Sequence, residues 1–192
     1  DWLVGIFTTV SGGLCDKGEG PEADPASKQA IRFHLNEMFG RMEPQLTRFF
    51  GTTLVDVASD SWEYARNPKG RYWSPALHKA ALEQVDYDLR SRMYALLGYG
   101  PYQEQILHDI ESIEEHVIHN NFFKTVTDFL NSRSLRHRPQ IYGRGLARDL
   151  FSAYALADIP EIEEGVYVPE AVWCARVLGK PIISAEAFTH IS

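Results

Sequence analysis

The stretch Thr52-Thr53-Leu54-Val55-Asp56-Val57-Ala58-Ser59 is followed at once by Asp60-Ser61-Trp62-Glu63. The first part is apolar and β-branched enough to predict a strand, and it hands over directly to two carboxylates and an indole. A polar loop with Asn67-Pro68-Lys69-Gly70 comes next. Ser74-Pro75, a capping hydroxyl ahead of a proline at the first helical position, then opens a helix expected to run through Leu96. Strand, polar turn and helix in that order make one unit of a parallel sheet with crossover helices.

The same alternation extends in both directions. Trp2 to Val10 reads as a buried strand entering the glycine-rich loop that starts at Ser11-Gly12-Gly13. Asp24-Pro25-Ala26-Ser27 reads as the cap of a helix carried by Ile31, Phe33, Leu35, Met38 and Phe39 to about Gly40, with a second helical stretch after Pro44. Beyond the break at Tyr99-Gly100-Pro101-Tyr102, a long helix is expected over Glu104 to Leu130. A short strand follows over Pro139 to Tyr142, then a helix over Leu146 to Leu156. Ala157-Asp158-Ile159-Pro160-Glu161-Ile162-Glu163-Glu164 is too acidic and too broken by proline to predict a central strand. Pro169 to Leu178 is helical with Gly179 as its cap, and Pro181 to Phe188 is the last strand. No hairpin signals, repeats or linkers interrupt the pattern, so residues 1–192 read as a single α/β domain.

Bulk properties narrow the partners. Nineteen basic residues stand against 26 acidic ones, for a net charge of -7 without a basic run, which argues against nucleic acid and anionic membranes. No apolar stretch approaches the ~18 residues that a membrane span needs. At 192 residues the chain is shorter than the ~250 of a complete (β/α)8 barrel. It opens on Asp1-Trp2 rather than on methionine, and is read as a fragment truncated at both ends, with further domains of the same chain expected.

In a barrel built from such units, chemistry sits where the strands end. Acidic residues recur at those places: Asp60 and Glu63 after the quoted strand, then Asp158, Glu161, Glu163 and Glu164, then Glu186 inside the last strand with His190 just beyond. Gln140, Tyr142 and Arg144 follow Pro139, and Trp62 and Trp73 supply aromatic surface. Paired carboxylates beside aromatic platforms suit sugar cleavage, one protonating the leaving oxygen while the other activates water or attacks the anomeric carbon. Glu186 interrupts an apolar run, where a buried charge demands a partner or a metal. A structural carboxylate paired with Arg or Lys is the competing reading there, and an ordinary loop carboxylate at Glu63.

Other groups point to less. His116 and His119 lack a zinc motif and read as a solvated helix face, while His34, His78, His108 and His137 read as surface residues. Tyr94, Phe122, Phe123, Phe129 and Trp173 sit in helical patterns and are expected in the core. Cys15 and Cys174 read as two small, partly buried thiols. The glycine-rich loop lacks a phosphate-binding ending, and neither Ser61 nor Ser184 has a nucleophile-elbow context.

Four segments carry a resemblance. Asp60-Ser61-Trp62-Glu63 is similar to an Asp-Ser-x-Glu element, and Arg138-Pro139-Gln140-Ile141-Tyr142-Gly143 to a Gln-x-Tyr-Gly strand. Asp158-Ile159-Pro160-Glu161-Ile162-Glu163 is similar to an Asp-x-Pro-Glu-x-Glu loop. Gly179-Lys180-Pro181-Ile182-Ile183-Ser184-Ala185-Glu186-Ala187-Phe188-Thr189 is similar to a Gly-Lys-x-x-x-x-Ala-Glu-Ala-Phe-Thr segment. In this order they resemble the family 106 glycoside hydrolases, the α-L-rhamnosidases. Val85-Asp86-Tyr87-Asp88-Leu89 departs from the family, which has Gly-Tyr-Asp-Leu after its fourth strand.

The resemblance implies a partial (β/α)8 TIM barrel covering roughly the third to seventh strands. It implies inverting hydrolysis of terminal α-L-rhamnosyl bonds in oligosaccharides, polysaccharides or glycoconjugates. Glu63 at the fourth strand becomes the general acid and Glu186 at the seventh the general base, with the opposite assignment left open. It implies a calcium ion held by Asp60, Glu161 and Glu163, a sugar pocket shaped by Trp62, Gln140 and Tyr142 with His190 at its rim, and a secreted or periplasmic location. Two alternatives stand beside it: a retaining barrel glycosidase with Glu186 as nucleophile, and a barrel that binds carbohydrate without cleaving it.

Overall fold

The protein is described by a computed structural model over residues 23–61, 72–141, 149–163 and 168–187. The strand expected over Trp2 to Val10, and Cys15, lie outside these residues.

The first helix, α1, spans Lys28–Leu46. Its cap is Ser27 rather than Asp24: the Ser27 hydroxyl accepts from the Ala30 N–H at 3.2 Å, and Asp24 instead accepts from Ala26 at 3.0 Å. One helix replaces the expected two, because the hydrogen bond that Pro44 cannot donate falls in the last turn, where its loss breaks nothing downstream. Strand β1, Asp56–Ser59, occupies only the second half of the predicted run, since residues 51–53 turn around Gly51 at φ +72°. Helix α2, Pro75–Gln84, starts on the predicted Ser74-Pro75 cap, with the Ser74 hydroxyl accepting from Leu77 at 3.1 Å. The helix does not reach Leu96. Asp88 caps a fresh 3-10 segment, Leu89–Leu97, by accepting from Arg90, and so ends α2 early.

The long helix is present as α3, Gln103–Val117, a π-helical turn over Ile118–Phe123, and α4, Lys124–Asn131. Strand β2 is Arg136–Pro139, earlier than the predicted Pro139 to Tyr142, so that proline, which lacks an N–H, ends the strand instead of starting it. Helix α5 covers Leu150–Leu156, β3 Glu161–Glu163, α6 Val168–Val177 and β4 Ser184–Glu186. Gly179 follows α6 at φ +68°, the left-handed turn its predicted capping role requires.

Both strand pairs are parallel. β1 lies on β2 with Asp56 opposite Arg136 and Ser59 opposite Pro139; β3 lies on β4 with Glu161 opposite Ser184 and Glu163 opposite Glu186. The approach to β3 docks on β2 through backbone bonds from Asp158 and Ile159 to the His137 carbonyl, both at 3.1 Å, and the Asp158 carboxylate accepts from the His137 N–H at 2.7 Å. Helices cover one face of these strands. Ile31, Leu35 and Phe39, spaced four apart on α1, pack with Val126 and Leu130 of α4 beneath Val57. Ile162 of β3 packs with Tyr154, Ala171 and Cys174 of α5 and α6.

Two histidines expected at the surface lie inside. His137 is fully buried between Ser59, 2.9 Å from its Nε2, and Thr127, 2.8 Å from its Nδ1. The Thr127 hydroxyl donates to the Leu156 carbonyl, so it accepts from Nδ1–H, and the bare Nε2 accepts from Ser59. Each polar atom is satisfied by a neutral ring, which burial holds down at a pKa of about 3. His119, in the π-helical turn, is buried against Phe123 and pushed down to about 4. Trp173 departs the other way: 59% exposed on α6, it is no core residue and leans on Phe151.

Candidate active site

Successive side chains on a strand point to opposite faces. With Val57, His137 and Ile162 turned to the helices, the opposite face takes Asp56, Ala58 and Asp60 from β1 and its end, Arg136, Arg138 and Gln140 from β2 and its end, Glu161 and Glu163 from β3, and Ser184 and Glu186 from β4. The parallel register stacks them into layers running from the N-terminal to the C-terminal ends of the strands.

The lower layers are electrostatically closed. Arg136 reaches Asp56 at 3.4 Å, and Arg138 lies 3.9 Å from the same carboxylate. The Arg138 Nε sits 2.5 Å from Glu161 Oε2, to which Ser184 Oγ also donates at 2.6 Å. The Arg138 N–H does not point along the line to Glu161, so charge rather than a directed hydrogen bond joins them. This explains why β3 exists against the sequence expectation. Its buried carboxylate is matched by a guanidinium and a hydroxyl that lie 23 residues away on either side, which the local acidity of the segment cannot reveal.

The top layer is different. Asp60, Gln140, Glu163 and Glu186 stand at the C-terminal ends of their strands. Gln140 Nε2 donates to Glu186 Oε2 at 2.6 Å, and Gln140 is 1% exposed. Glu163 and Glu186 are register partners on adjacent strands, and Asp60 accepts from the Ser61 N–H at 2.7 Å. Such a layer can hold a proton, a water or a hydroxyl-rich ligand.

Of the sequence-derived residues, Asp60, Gln140, Glu161, Glu163 and Glu186 share this face. Glu63, Trp62, Tyr142 and His190 lie outside the described residues. Among the described residues no group of three or more His, Cys, Asp or Glu side chains gathers at metal-holding distance. The oxygen donors Asp60 and Glu163 fit a hard cation by chemistry and layer; Glu161 does not, being taken by Arg138 and Ser184 in the layer below. Sequence reasoning missed Arg138 and Ser184. The signal was the period of two in Arg136-His137-Arg138-Pro139-Gln140, which sets two guanidiniums and an amide on one face.

No family model and no curated protein sequence matches the chain. Among solved structures, a rhamnosidase from Novosphingobium sp. PP1Y superposes with a TM-score of 0.70 at 20% identity, over 87% of this chain and 17% of that one. The chain thus has a rhamnosidase-like fold and spans less than a fifth of the length of that enzyme.

Proposed function

We infer that this chain is the catalytic middle of an inverting α-L-rhamnosidase of the family 106 type, built on a (β/α)8 barrel of which these strands form a part. The observation that carries the reading is the top layer: carboxylates and one amide converge at the C-terminal ends of neighbouring parallel strands whose other face is sealed by helices. That is where barrel enzymes place their chemistry. Likeness of fold to a rhamnosidase supports the same choice.

In this reading Glu63 donates its proton to the departing glycosidic oxygen. Glu186 takes a proton from a water that attacks the anomeric carbon from the opposite side. Gln140 donates its amide N–H to one Glu186 oxygen, which fixes the carboxyl group and leaves its other oxygen for the water. Trp62, Tyr142 and His190 would line the sugar pocket. Asp60 and Glu163 would hold a calcium ion, which would supply positive charge to bind sugar hydroxyls.

The stereochemistry of the product tests the reading. With the full-length protein and an aryl α-L-rhamnoside, proton NMR should show β-L-rhamnose first, before mutarotation. First appearance of the α anomer would instead indicate a retaining enzyme. Chelation should abolish turnover, and added calcium should restore it.

A further inference from the structure

Gln140 carries a buried polar atom that nothing described satisfies. Its backbone is anchored at the end of β2, where its N–H donates to the Ser59 carbonyl at 3.0 Å. The next residue, Ile141, is fully buried on the helix side with Ile118, Phe123 and Ala153, so Gln140 is turned inward. Its Nε2 crosses to Glu186 on β4, past the position of β3. The partner decides the amide orientation, because the reverse would set a carbonyl oxygen against a carboxylate oxygen. Gln140 Oε1 is then a buried acceptor without a hydrogen-bond partner among the described residues. Leaving such a group empty is costly, so this acceptor calls for a donor from outside the described residues.

We propose that Gln140 and Glu186 together hold the attacking water, Gln140 Nε2 fixing one Glu186 oxygen while Gln140 Oε1 and the other Glu186 oxygen accept the two O–H bonds of the water. This rests on the reading of the site as an inverting glycosidase. With both of its hydrogens engaged, the water has its lone pairs free for the anomeric carbon. Its oxygen forms the new bond to that carbon, one proton passes to Glu186, the carbon–oxygen bond to the leaving group breaks, and Glu63 supplies the proton that the leaving oxygen takes. Gln140 is thereby moved from a wall of the sugar pocket, where the family resemblance puts it, to the nucleophile.

The test uses the full-length protein, p-nitrophenyl α-L-rhamnoside and inhibition by free L-rhamnose. Gln140→Met keeps the shape and loses both donor and acceptor. Its kcat should fall ~10–100-fold with KM and the rhamnose inhibition constant unchanged within about twofold. Gln140→Glu, which sets a carboxylate against Glu186, should lose more than Gln140→Met. A rise of tenfold or more in KM and in the inhibition constant, with kcat retained, would make Gln140 a sugar contact and overturn the proposal. So would wild-type kcat and KM in variants whose melting temperature alone has dropped. If either variant fails to fold, the other carries the comparison, and Gln140→Asn, which keeps the amide but cannot reach Glu186, should show the same kcat loss. Failure of the underlying reading looks different: a wild-type protein that does not cleave the rhamnoside, or a Glu186→Gln variant that still does.

Discussion

The two faces of the strands both bury polar groups, and they do so by opposite means. On the helix side, His137 is neutral and each of its ring nitrogens meets a hydroxyl, Ser59 or Thr127. On the other side the groups are charged, and their pairing changes with depth: Asp56, Arg136, Arg138 and Glu161 balance one another below, while Asp60, Glu163 and Glu186 stand together above. Burial without pairing is costly, so the satisfied network below argues for structure, while carboxylates gathered at strand ends around the buried, unpartnered Gln140 Oε1 argue for a ligand. Depth along the strand, rather than acidity, separates the carboxylates into these two roles.

The comparison can be broken at Arg138. Arg138→Met strands Glu161, which is 5% exposed, and should destabilise the protein by roughly 2–4 kcal/mol, somewhat below the cost of breaking a fully buried pair because the guanidinium is partly exposed. The double variant Arg138→Met with Glu161→Gln should recover part of that loss in a urea titration. Equal stability of wild type and Arg138→Met would show that the lower layer is not a structural ion-pair network.

On the helix face the effect should be smaller and confined to stability. Thr127→Val keeps the shape, removes the partner of His137 Nδ1–H and of the Leu156 carbonyl, and should cost ~1–3 kcal/mol. Turnover of the folded variant should be unchanged. A loss of kcat with normal stability would connect this network to the chemistry.

A further effect, absent at neutral pH, is in acid. Burial holds His137 at about 3 and His119 at about 4, below the ~6.5 of an unfolded histidine. Between these limits the unfolded chain binds protons that the folded chain does not, so stability is full above ~6.5 and falls as pH drops towards 4. Urea midpoints at pH 7, 6 and 5 should decline in that order, and less steeply in His119→Leu. An unchanged slope in that variant would remove His119 from the linkage.

Much of this architecture was legible in the sequence. The alternation of apolar runs and capped helices can be read from Ser74-Pro75 and Gly179, because caps and left-handed turns are local. Three features could not be read, for one reason: their causes are distant in the chain. Glu161 looks too polar for a strand until Arg138 neutralises it. His137 looks like a surface residue until Ser59, 78 positions away, meets its ring. Trp173 looks like core by residue type, and only the packing of α6, which turns Ala171, Cys174 and Ala175 inward, leaves it outside. In the site itself, Gln140 and Glu186 were identifiable as residues, whereas the bond between them was not.

The separation of roles by depth is tested most directly by the turnover of Glu186→Gln in the full-length protein on an aryl α-L-rhamnoside, measured alongside its melting temperature. The account predicts a fall in kcat on the order of 10²–10⁴ with the melting temperature held, as for loss of a general base whose bond from Gln140 an amide oxygen can still accept. Turnover near wild type, or a loss of activity that merely follows a loss of folding, would contradict it.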